Sequence, residues 1–556
     1  MKSNKEIVSS LKLLGQLMEL HDGNPFKVKS INNAAYKLGK YAENLVEKSE
    51  EELAKIEGVG KSVAAKITEL IQQNSIAELE DLKADTSAGL IEMLGIKGLG
   101  PKKIQIIWKQ LNIDSIGELY YACIENRLVE AKGFGYKTQE EVKKLIEFTL
   151  MNKGSLLLSN ALGVLEELNQ ELKKSVPDNI LYATGQLARY CEIITELHFS
   201  AKKAKQVEII KSIAALENMS GEENNHTWKG LWNNSTNIQI DFIDEENWVV
   251  ENFLKSCAEE HLQLLPNFDS EKIKNIASEQ AIYESLGMDF IPSPMREGHR
   301  EVELAKAHKI PTLITDKDLQ GSLHNHSTWS DGIHTLEEMA VYCKEIGYHY
   351  LGICDHSQSA FYADGLKPEK VLQQFAEIEN LNKKYPEFHI FKGIESDILN
   401  DGSLDYEEDI LKQFDFIVAS VHSNLKMDEA KANARLLKAI ENPYTTMLGH
   451  PTGRLLLARQ GYPINHQLII DACAANKVAI EINANPLRLD LDWRWIDYSL
   501  QKGVYLSINP DAHKKEGYHD MKYGVMIGQK GGLSKEYCLN AWDKNTLDTY
   551  FKSKKG

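Results

Sequence analysis

From Gly321 onward the chain repeats one rhythm: a short apolar run, a polar turn, then a segment with an apolar stripe. The runs are Leu323–His326, Tyr350–Cys354, His389–Ile394, Phe416–Val421, Met447–His450, Ala479–Ile482 and Val504–Ile508. Between them, stretches such as TLEEMAVYCKEIGY (Thr335–Tyr348) and DEAKANARLLKAIEN (Asp428–Asn442) carry apolar residues at three- and four-residue intervals, the period of a half-buried helix. Alternation of this kind predicts a parallel sheet, and seven units with no reversal predict a closed barrel. Upstream the pattern changes. Residues 1–150 are helical in period and broken three times by a glycine-rich turn, whereas residues 151–320 mix helical and strand periods. The predicted architecture is multidomain, α followed by α/β, with domains at 1–150, 151–320 and 321–556.

Length agrees, since 556 residues exceed what one hydrophobic core organises. No apolar run reaches the roughly 18–20 residues that span a bilayer, and MKSNKEIVSS at the start has no apolar signal region, so the expectation is a cytoplasmic protein without a membrane partner. The seven cysteines are scattered with no C-x-x-C pair, which speaks against a disulfide framework or a zinc ribbon. Net charge is −17, but residues 1–150 hold 21 Lys+Arg against 22 Asp+Glu, so the acidic excess lies downstream. Any contact with a polyanion is therefore expected in the first domain.

The three turns there are IEGVGKSVAAKI from Ile56, IKGLGPKKIQII from Ile96 and AKGFGYKTQEEV from Ala131. Each pairs two glycines around an apolar residue, Gly58/Gly60, Gly98/Gly100 and Gly133/Gly135, with Lys61, Lys102 and Lys103, or Lys137 following. Such a turn exposes backbone N–H groups at a helix start, where a phosphate oxygen is received without any base being read. This is the helix-hairpin-helix pattern. Three copies with lysines predict sequence-independent DNA binding, to gapped, nicked or single-stranded ends.

The barrel half carries different chemistry. In GSLHNHSTWSDG, strand alternation puts His324 and His326 on one face about 7 Å apart, a distance one metal ion bridges. Asp331 follows. His356, Glu395, His422, His450, Asp511 and His513 fall at the carboxyl ends of later runs, where parallel barrels collect their chemistry. Any one of them is ordinarily a hydrogen-bonded core side chain, but six histidines and three carboxylates at one end point to a metal cluster.

These nine residues resemble the ligand set of the polymerase and histidinol phosphatase (PHP) family of phosphoesterases, which implies a distorted (β/α)7 barrel with a multinuclear site. The resemblance implies His324, His326, Glu395 and Asp511 on one ion, Glu395 bridging to a second held by His422 and His450, and Asp331, His356 and His513 on a third. Mixed imidazole and carboxylate donors suit two or three ions of Mn²⁺, Zn²⁺ or Fe²⁺. A metal-activated water is then the nucleophile, and Arg454 and Arg488, just after barrel runs, are candidate phosphate clamps.

The order of the whole chain resembles bacterial family X DNA polymerases. NPFKVKSINNAAYKLGKY (Asn24–Tyr41) is similar to the start of their DNA-end-binding domain, and Lys66 occupies the place of the lysine that attacks an abasic-site aldehyde. SLGMDFIPSPMREGHREVELAKAHKIPTLI (Ser285–Ile314) is similar to their thumb. The palm departs. In GQLARYCEIITELHF (Gly185–Phe199) the family's D-x-D falls on Glu196 and His198, Gln186 replaces the serine, and only Arg189 remains of an arginine pair; Asp241 still matches the third aspartate. Neutral nitrogen at His198 suits Mg²⁺ poorly, so the palm is expected to have lost templated synthesis. The reading is a DNA-binding, metal-dependent 3′-5′ exonuclease of the repair type. Its rivals are a gap-filling polymerase, a phosphatase for small monoesters, and a noncatalytic scaffold.

Overall fold

The computed structural model describes residues 2–129, 131–151, 154–176, 180–269 and 276–555. The chain divides into two compact units, Met1–Glu147 and Phe148–Gly556.

The first unit is helical. Its opening helices, Asn4–Leu20 and Pro25–Leu38, start at Ser3 and Asn24, whose side chains accept from the first free backbone N–H groups. The three glycine turns lead into helices Lys61–Gln73, Pro101–Leu111 and Tyr136–Met151. In each turn the first glycine has a left-handed backbone, with φ of 86° at Gly58, 91° at Gly98 and 90° at Gly133. That reversal lets the middle residue, Val59, Leu99 or Phe134, point into the core while the chain turns back.

The second unit opens with a five-stranded sheet built from β1 (Tyr182–Ala183), β2 (Leu197–Lys202), β3 (Met219–Asn224), β4 (Thr227–Trp232) and β5 (Thr236–Ile243), in the order β1-β2-β5-β4-β3. Only β2 and β5 are parallel, and Ser200 stands opposite Asp241. Short helices Glu279–Ser285 and Glu301–Lys306 follow around a core that includes Phe253, Tyr283 and Ile291.

The barrel strands are β6 (Gly321–Ser322), β7 (Tyr350–Ile353), β8 (His389–Asp397), β9 (Phe416–Ser420), β10 (Met447–Leu448), β11 (Ala479–Asn483) and β12 (Leu506–Asn509). They are parallel and hydrogen-bonded in sequential order. The first strand ends earlier than its apolar run suggests, so the H-x-H histidines lie past it and not within it. The seam between first and last strands is nearly closed. Asn325 bridges Ala512, and the Leu323 N–H donates to Asn509 Oδ1 at 3.0 Å. Buried Asn540 completes it: its amide donates to Gly321 O and to Asn509 Oδ1, each at 3.1 Å, and its oxygen accepts from the Ile508 N–H at 2.8 Å.

Inside the barrel, Phe416 fills the floor because neighbouring strands carry Gly352 and Gly393, where a Cβ would lie within 2.6 Å of the ring. Phe551, from the last helix Lys544–Lys554, stacks on Phe416 with centroids 5.0 Å apart. One end of the barrel is thereby plugged with apolar rings, and the strands' carboxyl end is left for polar side chains.

The sheet segment and the barrel are tied by ionic contacts. Arg300 makes two hydrogen bonds to Asp497 at 2.9 and 3.0 Å, and Glu192 accepts from Trp493 at 3.0 Å and Arg494 at 2.8 Å. Buried Lys530 pairs with Glu297, which also binds Arg189 at 2.9 Å. Arg189 therefore serves the junction.

Asn540→Ala would leave a buried N–H and a buried C=O at the seam without partners. It is expected to destabilise the protein by about 2–4 kcal/mol, read from the urea midpoint of tryptophan fluorescence.

Candidate metal centre

All nine expected ligands lie at the open end of the barrel, on the loops that leave β6 to β12 or on the strand ends themselves. Glu395, near the end of β8, is the hub. Its carboxylate lies 3.0 Å from ring nitrogens of His356, His422 and His450, 3.3 Å from His324 and 3.7 Å from His326. Asp511 Oδ1 is 3.0 Å from His326 Nε2 and 3.7 Å from His324 Nε2, while Asp331 is 3.5 Å from both His356 and His513. Three groups have donor atoms mutually within 4.8 Å: His326, Asp331, His356 and His513; His324, His326 and Asp511; and His356, Glu395 and His422. This grouping differs from the partition implied by resemblance in that His326 and His356 each belong to two groups. His450 stands outside these groups but contacts Glu395 and the rings of His324 and His422. Two of the nine, His450 (φ 21°) and Asp511 (φ 53°), hold left-handed backbones that aim their side chains inward.

The donor set fits cations. His324 Nε2, His326 Nδ1, both ring nitrogens of His356, His450 Nδ1 and Glu395 Oε2 are buried and take no hydrogen bond among the described residues. Buried polar atoms are costly in that state, and those of His324, His326, His356 and Glu395 lie at carboxylate–imidazole distances that a shared ion spans, whereas His450 turns its other nitrogen, Nε2, to Glu395. Protonation follows the same field. Burial opposes charge on Glu395, but the rings of His422, His324 and His356 outweigh it and hold the carboxyl well below its ordinary range. Burial likewise disfavours a charged His324, yet Glu481, Glu395 and Asp511 raise it well above normal, and His422 is pushed up to about 9 by Glu395 and Asp397 against the same penalty. His326, buried beside the rings of His513 and His356, falls to about 3.

Three residues behind the ligands escaped the sequence reading. Glu481 Oε1 lies 2.7 Å from His324 Nδ1, and its other oxygen accepts from the His450 N–H at 2.8 Å. Asp397 Oδ1 is 2.5 Å from His422 Nδ1. Asp355 accepts from the Ser327 N–H, the Ser330 hydroxyl and the Gln374 amide at 2.6–2.7 Å, pinning the loop of Asp331 against that of His356. Such outer partners fix ring orientation and tautomer. The available signal was an acidic residue in the middle of an apolar strand, as in AIEIN.

The expected clamps differ in setting. Arg488 is buried with Nε 3.9 Å from Asp511 Oδ2. Arg454 directs its guanidinium to Asp492 at 2.5 Å and to the Arg488 and Leu489 carbonyls, which ties it to the loop 488–492.

In the sheet segment, His198 Nε2 lies 2.9 Å from Glu196 Oε2. Asp241, on the same face, is held by Lys255 Nζ at 3.1 Å, by Gln239 at 3.0 Å and by Thr227 at 3.1 Å. In the first unit, Lys66 Nζ is 2.5 Å from Glu78, which also takes Lys27 at 2.6 Å. Lys61, Lys102 and Lys137 are exposed, and Lys103 leans over the Phe134 ring at 5.5 Å. A Cβ added at Gly60, Gly100 or Gly135 would meet only open space.

Family models match residues 2–76 as a helix-hairpin-helix domain, 90–144 as a SAM-like helix-hairpin-helix tandem, and 322–485 as a PHP domain. The DNA polymerase/3′-5′ exonuclease PolX of Bacillus subtilis (strain 168) is 32% identical, with 99% of each chain covered. The chain belongs to the PolX family. Part of the chain is also similar to shorter proteins: probable phosphatases of Clostridium novyi (strain NT) and Thermoanaerobacter sp. (strain X514) are 26% and 27% identical over 42% of the chain and 94% of their own lengths. The PHP match contains seven of the nine donors, and Asp511 and His513 lie beyond its last residue.

Because Glu395 touches five of the six histidines, Glu395→Gln is expected to lower bound transition metal more than tenfold after dialysis against Mn²⁺ or Zn²⁺. Elemental analysis measures this, and circular dichroism checks that the fold survives.

Proposed function

We propose that the barrel is a metal-dependent 3′-5′ exonuclease acting on DNA ends in the cytoplasm, that the glycine hairpins hold the DNA backbone, and that the sheet segment has ceased to polymerise. The convergence of the nine donors on Glu395 carries this reading. The donor chemistry favours two or three ions of Mn²⁺, Zn²⁺ or Fe²⁺ over Mg²⁺. His324, His326, Asp331, His356, Glu395, His422, His450, Asp511 and His513 would hold such ions, which would supply activation of a water nucleophile and stabilisation of the departing 3′ oxygen. The protein's own groups supply the setting: Glu481 and Asp397 orient His324 and His422, and Arg488 offers a buried positive charge beside Asp511 for the scissile phosphate. The engagement of Arg454 with Asp492 leaves that role to Arg488. Water is confined to the mouth because the floor is sealed by Phe416 and Phe551.

The domain assignment in this reading is 1–150 for DNA binding, 151–320 for a palm and thumb without synthesis, and 321–556 for hydrolysis. In the hairpins the first glycines are required by their positive φ, but Gly60 and Gly100 are not. Their open surroundings suit close approach of a phosphate to the N–H groups beside Lys61 and Lys102. In the palm, the ammonium of Lys255 stands where a second cation would have to approach Asp241, and His198 brings no negative charge. A second reading, retained synthesis, is favoured by the name of the Bacillus subtilis relative, and extension of a primer by a His326→Ala variant with Mg²⁺ would establish it.

The metal-loaded protein is expected to shorten a labelled single strand from its 3′ end, with His326→Ala at least a hundredfold slower. Digestion unaffected by that change, or confined to small monoesters, would overturn the proposal. Gly60→Ala combined with Gly100→Ala is expected to weaken salt-dependent DNA binding severalfold while shifting stability by about 1 kcal/mol or less, whereas Gly58→Ala should lower stability because of its backbone. Fluorescence anisotropy and thermal melts distinguish the two effects.

A further inference from the structure

We infer that Phe361 is the face on which the barrel seats the 3′-terminal nucleobase of the strand it cuts, so that the mouth recognises a nucleotide and not merely a phosphate ester; this rests on the exonuclease reading above. The ring is 86% exposed, more than any other large apolar side chain among the described residues. A single exposed apolar residue is ordinary. The segment that displays this one is not.

The loop leaves the mouth at His356 and returns at Leu366, where the Leu366 N–H donates to His356 O at 2.8 Å and Ser357 bridges Leu366. Within it, the Gly365 N–H donates to Ala360 O at 3.1 Å. From outside, Asp405 receives the Ser359 N–H at 2.6 Å and the Gln358 amide at 2.5 Å, and the Tyr406 hydroxyl binds Leu366 O. Gly365 is needed for the close pass, since a Cβ there would lie 1.9 Å from Ser357 O. The small side chains of Ala360 and Ala363 are turned inward and buried. Burying Phe361 in their place would break these bonds, so the ring is held out by a pinned loop.

Its position gives the exposure a use. Tyr362 stands edge-on to the candidate ligand His356 with centroids 6.1 Å apart, and Phe361 stands edge-on to Tyr362 at 6.0 Å. The exposed face is therefore two ring contacts from the metal centre. A flat apolar ring beside a phosphoesterase site matches a base whose own phosphate is being attacked. It accepts any base, because every base has a π face. A phosphate ester lacking a base would leave the ring in water.

The test compares a 5′-labelled single strand ending in thymidine with the same strand ending in an abasic nucleotide, using metal-loaded wild type, Phe361→Ala and Phe361→Trp, with bound metal measured in each. The wild type is expected to favour the base-bearing end about tenfold in KM, the worth of one base–aromatic stack, with kcat little changed. Phe361→Ala should bring the ratio near one, and Phe361→Trp should restore it. The inference is overturned if Phe361→Ala keeps the wild-type ratio. It is also overturned if the variant changes native mass, which would make the ring a contact between proteins. Failure of the wild type to digest either strand would overturn the exonuclease reading and this inference with it.

Discussion

One buried carboxylate governs the arrangement of the barrel. Glu395 is nearly inaccessible to water, and five imidazoles lie within 3.7 Å of it. An ionised carboxylate so placed is tolerable only when positive charge or donors surround it, and the same holds for Asp331 and Asp511. The rings need the carboxylates as much as the carboxylates need the rings. Bringing six strand ends to one small volume is thus an electrostatic requirement as well as a packing outcome, and the ions that such a donor set attracts would complete the balance.

That concentration of charge is possible because the rest of the barrel is closed and dry. Phe416 and Phe551 occupy the opposite end, and the asparagine contacts of the seam satisfy backbone groups that a longer first strand would otherwise have paired. The sheet segment adds a second support. Arg189 and Lys530 meet on Glu297, and Trp493 and Arg494 of the barrel donate to Glu192.

The helical unit works by the opposite principle. Its hairpins bury one apolar residue each and leave their lysines at the surface, as suits a helix-hairpin-helix unit that binds DNA.

Much of this was legible in the chain. The period of apolar residues announced helices and seven parallel strands, and polar residues at the ends of those runs marked the nine donors, because strand ends and turns are encoded within a few neighbouring residues. Pairings between distant side chains were not encoded that way. Glu481 meets His324 across 157 positions, Asp241 is captured by Lys255, and Arg454 turns to Asp492. Nor does local sequence reveal that Ala360 and Ala363 go inward and Phe361 stays out. Local pattern determined which elements form and which residues stand as candidate ligands at the strand ends. Tertiary packing alone decided which charges face each other and which ring meets water, since both depend on what the fold brings within a few ångströms.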